Sequence, residues 1–106
     1  MVIVPKKNII RLKRGDTGMM SITVTDEATG EEVTDYIGKF TLKRELRDNV
    51  FALQKTIVEG EIAFEHDDTQ TMDFGNYYYD IQITSNGQVQ TFGPHLFQLL
   101  PDVTTR

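Results

Sequence analysis

The amino-acid sequence predicts an all-β sandwich, and three observations carry the prediction. Tyr77, Tyr79, Ile81 and Ile83 alternate with Asn76, Tyr78, Asp80, Gln82 and Thr84, the period-two pattern of a strand with one buried face. Asn86-Gly87 follows that run and supplies two residues tolerant of positive φ, as a type I′ hairpin turn requires. Short apolar runs then recur between turn signals, at intervals of about eight to twelve residues, along most of the chain.

The elements follow in order. Ile9, Ile10 and Leu12 form a first short strand that turns at Gly15-Asp16. Met20, Ile22 and Val24 alternate with Ser21, Thr23 and Thr25 in a second, which ends in the acidic, turn-rich segment 26–31. Phe40 and Leu42 alternate with Lys39, Thr41 and Lys43 in a third. Asp48-Asn49 leads into a fourth over residues 51–58, and Glu59-Gly60 leads into a fifth with Ile62 and Phe64. Residues 67–72 read as one helical turn, with Asp67 as N-cap and Gln70 three positions later. The Tyr77 strand and its returning partner complete a count of about seven.

Of all the turns, Asn86-Gly87 is the most strongly typed. With two residues in the loop, Ile81 falls opposite Phe92 and Thr84 opposite Val89. Gly93-Pro94 interrupts the returning strand, and since proline donates no ladder hydrogen bond, that strand is an edge or carries a bulge there. Residues after Leu100 read as a terminal arm. The whole is one domain over 1–106 with a core at about 8–100.

Asp73-Phe74-Gly75-Asn76-Tyr77 has the spacing of a tyrosine corner. There a glycine lets the chain turn into the strand, and the tyrosine hydroxyl returns a hydrogen bond to the backbone just left. The sandwich is therefore expected to be an immunoglobulin-like antiparallel one. Where antibody domains carry a cysteine two positions on, this chain has Tyr79.

Composition narrows the function. The absence of cysteine removes thiol catalysis, thiolate metal sites and disulfides together. A net charge of −5 and a pI near 4.9 argue against a nucleic-acid surface. The basic residues cluster at Lys6-Lys7, Arg11-Lys13-Arg14 and Lys43-Arg44, and read first as solvated strand faces or turns. No apolar run is long enough to span a membrane, and the start lacks a signal-peptide pattern, so a cytosolic origin is expected.

His66-Asp67-Asp68 is the one cluster with metal-ligand or acid-base character. Adjacent residues on extended chain point to opposite faces, so helix capping is the reading adopted, and no metal, cofactor or catalytic residue is assigned. His95 stands alone beside Pro94, and Arg14-Gly15-Asp16 spells an adhesive tripeptide but reads more simply as a turn. Most aromatic residues fall at inward positions. Tyr78 is the exception, and with Gln82 it makes an outward patch suited to protein contact. The first strand, residues 8–14 with Arg11 and Lys13, and the last, residues 89–99, are expected sheet edges, open to pairing.

Several stretches together resemble a family of small immunoglobulin-like proteins of phage and prophage virions, similar to the N-terminal domain of upper baseplate proteins. They are Lys13-Arg14-Gly15-Asp16-Thr17, Ile22-Thr23-Val24-Thr25-Asp26, Phe40-Thr41-Leu42-Lys43-Arg44 and the run from Gly75 to Ile83, spread over about residues 8–100. The acidic segment 26–32 departs from the family's pattern. The resemblance implies a non-enzymatic virion component of tail, baseplate or fibre attachment. Its partners would be other virion structural proteins in a homo-oligomer or multi-copy assembly, with no nucleic acid or membrane among them. Its location would be the virion, and the host cytoplasm during assembly. A cell-surface or carbohydrate-binding module is the alternative.

Overall fold

The computed structural model describes residues 2–5 and 9–101. Lys6-Lys7, Asn8 and the arm from Asp102 onward lie outside the described residues. Eight strands and one helical turn follow in order: β1 (Val2–Pro5), β2 (Ile10–Lys13), β3 (Gly18–Thr25), β4 (Ile37–Lys43), β5 (Leu53–Ile57), β6 (Glu61–Phe64), α1 (His66–Thr69), β7 (Gly75–Ser85) and β8 (Gln88–Leu100).

Strand order in the back sheet is β1-β3-β6, and in the front sheet β2-β8-β7-β4-β5. With β1 and β2 taken as two halves of a first strand divided between the sheets, this is the order of an immunoglobulin-type sandwich, with no strand in the fourth (D) position among the described residues. The all-β sandwich is as the sequence predicts. Two details differ: the strands among the described residues number eight rather than about seven, because β1 pairs with β3 (Ile3 opposite Val24), and the β2–β8 ladder is parallel.

Alternation builds the core. From β7, Tyr77, Tyr79, Ile81 and Ile83 are buried, and Phe40 and Leu42 of β4 and Phe97 and Leu99 of β8 join them. The back sheet adds Ile3, Met20, Ile22, Val24, Ile62 and Phe64. Phe40 lies at the centre of an aromatic cluster. Its ring meets Phe64 edge-on at 5.3 Å and stacks on Tyr79 at 5.3 Å, while Phe64 meets Phe97 at 5.8 Å. Edge and stacked geometries of this kind each add about 0.5–1.5 kcal/mol beyond burial.

The Asn86-Gly87 turn has φ of 50° and 76°, the signs a type I′ turn demands, and Ile81 lies opposite Phe92 and Thr84 opposite Val89 as expected. Beyond that the ladder shifts, since Tyr79 lies opposite His95. Asp80 alone therefore faces Gly93 and Pro94, and β8 carries a bulge. The extra residue corrects phase: Phe92 and His95 both take inward register, each opposite an inward residue of β7, which an unbroken strand would forbid. Gly93 has φ 116°, and a Cβ there would lie 2.8 Å from the Tyr79 carbonyl oxygen, so the bulge needs glycine.

A second turn has the same signs, with Glu59 at φ 52° and Gly60 at φ 76°. After one bridge, between Val58 and Glu61, its strands part, and β5 joins the front sheet while β6 joins the back. The tyrosine corner is present: Tyr77 Oη donates to the Asp73 carbonyl at 2.6 Å. The helical turn begins one residue before Asp67, with Glu65 as N-cap. Asp67 does not cap it, because Asp68, at the third helical position, accepts the Glu65 N–H at 2.8 Å.

Space around Gly87 is open, so only its backbone angle opposes a larger residue. Gly87→Val is expected to destabilise the domain by about 1 kcal/mol or more, read as a lower denaturant midpoint at unchanged m-value.

Candidate protein-contact surface

Burying one side of β7 exposes the other. Asn76, Tyr78, Asp80, Gln82 and Thr84 face away from the core, and the ladders extend each into a row across the front sheet. Arg11, Gln98 and Asn76 form one row, and Leu96, Tyr78 and Lys43 another. Thr91, Gln82, Lys39 and Thr56 form a third, and Val89, Thr84 and Ile37 a fourth. Tyr78, Gln82, Arg11 and Lys13 thus share one outer face, with Tyr78 and Gln82 central and Arg11 and Lys13 on the β2 edge. Lys39 and Lys43 belong to the same face.

Hydrogen bonds tie the polar rows. Arg11 Nε donates to Gln98 Oε1 at 2.8 Å, Gln98 Nε2 to Asn76 Oδ1 at 3.4 Å, and Gln54 Nε2 to Thr41 Oγ1 at 3.1 Å. Tyr78 is half-buried between its neighbours. Asp80 is the one acid on this face among the described residues. Burial raises its carboxyl pKa above the ordinary 3.8, and the nearby Lys43 offsets part of that rise. At the far end of the face, Ile37 and Val89 are 66% and 61% exposed.

Of the two expected edges, β2 is one, whereas β8 lies inside the front sheet between β2 and β7. β2 ends the front sheet and covers only Phe97–Leu100 of β8, so the first half of β8 has no second ladder among the described residues. β5 is the opposite edge, which sequence reasoning missed, since its alternation is no different from that of an inner strand.

Residues 66–68 are dispersed into structural bonds. His66 Nδ1 donates to the Gly15 carbonyl at 2.6 Å, Asp68 pairs with Lys55 at 2.9 Å, and Asp67 is exposed. Thr69, 0% exposed, accepts the Gly15 N–H at 2.9 Å and completes a clasp on that turn. Nothing local in the sequence singles out Thr69. The Arg14-Gly15-Asp16 tripeptide is accordingly a fixed turn: Gly15 is buried and the Arg14 guanidinium lies 4.7 Å over the Phe74 ring. His95 is half-buried against Phe92, ring centres 4.4 Å apart. Among the described residues no three His, Asp or Glu come together as a metal-binding group.

Between the sheets, at the end where β3 leads into β4, a cleft of about 270 Å³ opens. Ile22, Val24, Val33 and Ile57 supply apolar walls, and Tyr36, Glu32 and Glu59 the polar ones. Burial, and secondarily Glu32, raises the Tyr36 hydroxyl pKa above its usual value. Sequence reading missed this cleft, because its walls come from three separated segments.

Fold and surface together define an immunoglobulin-type sandwich with a tyrosine corner, a broad polar front face and an acidic tip. No family model, curated protein or solved structure matches the chain.

His66→Ala strands the Gly15 carbonyl and Thr69→Val strands the buried Gly15 N–H, so denaturant titration should show losses of about 1 kcal/mol and about 1–3 kcal/mol respectively. Neither EDTA nor added divalent ions should move the wild-type midpoint. For Asp80, a raised folded-state pKa means that the native protein binds its proton more tightly, so stability falls as pH rises above the ordinary value of 3.8. Asp80→Asn should therefore melt at or above the wild-type temperature at neutral pH, with the gap closing on acidification.

Proposed function

We propose that this chain is a non-enzymatic structural module of a bacteriophage virion, a component of tail, baseplate or fibre attachment that works through protein–protein contacts. The observation that carries the reading is the front face. A rigid sheet brings Tyr78, Gln82, Arg11, Lys13, Lys39 and Lys43 onto one surface, combining an aromatic residue, amides and cations over a fixed backbone. His66 and Asp68 of the 66–68 cluster are engaged in bonds within the fold, and Asp67 is exposed. The resemblance of four stretches to virion immunoglobulin-like domains supports the same reading. In it, the chain is present in many copies, and the virion is where it resides.

The test substitutes the centre of the face and its edge. Tyr78→Glu and the pair Arg11→Glu/Lys13→Glu should leave thermal melting close to wild type, because these side chains lie outside the core. Incorporation into particles, read by immunoblot of purified virions, should fall sharply for Tyr78→Glu. If both variants incorporate normally, the front face is not a docking surface and the reading fails.

A further inference from the structure

Charge is segregated along this chain in a way that the fold turns into geometry. Residues 15–38 and 56–105 contain no Lys or Arg. The described cations are therefore confined to β2 and its turn, β4, the loop after it, and β5, all in or beside the front sheet. On the outer face of that sheet Arg11, Lys13, Lys39 and Lys43 stand against Asp80 alone. The tip after β3 has the opposite character. Asp26, Glu27, Glu31, Glu32 and Asp35 fall within ten residues of one another, and Glu59 joins Glu32 around the cleft whose walls are Ile22, Val24, Val33 and Ile57.

We propose that copies of this chain associate front to tip, the cations of one copy's front face, chiefly Lys39 and Lys43, docking on the acidic cleft end of the next copy at Glu31, Glu32 and Glu59. The inference rests on the reading of the front face as a docking surface and names a second copy as its occupant. Complementarity selects the arrangement. Front against front would oppose Lys39 and Lys43 with themselves, and tip against tip would oppose carboxylates, so a two-fold contact through either patch is repulsive. A heterologous contact pairs opposite charges and leaves the pair with one unused patch of each sign, so it propagates into a ring or a filament. The cleft suits the long lysine side chain, whose methylene stem packs on apolar walls while its ammonium reaches the carboxylates at the rim. Ile37, exposed and two residues from Lys39 on the same face of β4, adds apolar contact beside the charges.

The test is a charge swap read by sedimentation velocity over a range of protein concentrations. Wild type should self-associate at low salt and dissociate toward monomer in 1 M salt, where the screening length shrinks from about 10 Å at 0.1 M to about 3 Å. Lys39→Glu/Lys43→Glu and Glu31→Lys/Glu32→Lys should each weaken self-association about tenfold or more. Mixed in equal amounts the two variants should associate again, because each then offers the other a complementary patch. If a reversed variant melts well below wild type, Lys39→Gln/Lys43→Gln and Glu31→Gln/Glu32→Gln take its place, and each should weaken association in the same direction. A monomeric wild type at low salt, unweakened single variants or an unrestored mixture would each overturn the proposal. Should any of these occur while Tyr78→Glu still blocks incorporation, the front face docks another protein and only self-association is rejected.

Discussion

The two sheets are joined at one aromatic cluster, and most of the structure depends on it. There is no tryptophan or cysteine to pin the sandwich. Phe64, the back sheet's one buried aromatic, instead reaches between Phe40 and Phe97, and Tyr79 stacks behind Phe40. Burial pushes the Tyr79 hydroxyl pKa up to about 12, which keeps that ring neutral and compatible with the core. Because Tyr77, Tyr79, Ile81 and Ile83 must face this cluster, Tyr78 and Gln82 must face out. The outward face proposed for protein contact is thus a geometric consequence of core packing. A slip of one residue in β7 would lose both at once.

The same constraint explains the bulge in β8. The Asn86-Gly87 turn sets pairing from Ser85 back to Ile81, which places Phe92 inward. Phe97 and Leu99 must also face inward, yet they differ from Phe92 in parity. One extra residue is needed between them, and Gly93, close against the Tyr79 carbonyl, lets the backbone supply it. Gly93-Pro94 was legible as an interruption because proline breaks a ladder. Its role in restoring phase becomes clear only from the pairing.

What the sequence disclosed was local and periodic. Alternation in β3, β4 and β7, the type I′ turn and the tyrosine corner all depend on neighbours a few residues apart, and each is present. What stayed hidden depends on distant partners. Val2–Pro5 is too short, and contains a proline, to announce β1, which exists because β3 offers it an edge. Glu59-Gly60 reads as a hairpin, but whether strands beyond one bridge stay together depends on which sheet each finds. The capping role passed from Asp67 to Glu65 and Asp68 because Asp68 also meets Lys55 across 13 positions. On the front face, Tyr78 and Gln82 were legible as outward residues of a strong strand. That they share a surface with Arg11 and Lys13 follows from β8 lying between β7 and β2.

Polar cross-links gather at one end of the sandwich. There Gly15 is held through both its N–H and its carbonyl by Thr69 and His66, Asp68 ties Glu65 to Lys55, and Tyr77 closes its corner on Asp73. Arg44 adds a guanidinium 4.7 Å over the Tyr77 ring. At the other end are the two positive-φ turns, the acidic tip and the open cleft. The bonds of the first end hold the core, while the other end has side-chain bonds of its own: Asp26 accepts the Ala28 N–H at 2.8 Å, Thr29 Oγ1 accepts the Glu31 N–H at 3.2 Å, and Ser85 Oγ donates to the Asp35 carbonyl at 2.8 Å. Glu31, Glu32 and Glu59 at the tip and Lys39 on the front face are exposed. The proposed assembly role calls for such a bonded frame, since the frame must not rearrange when contacts form.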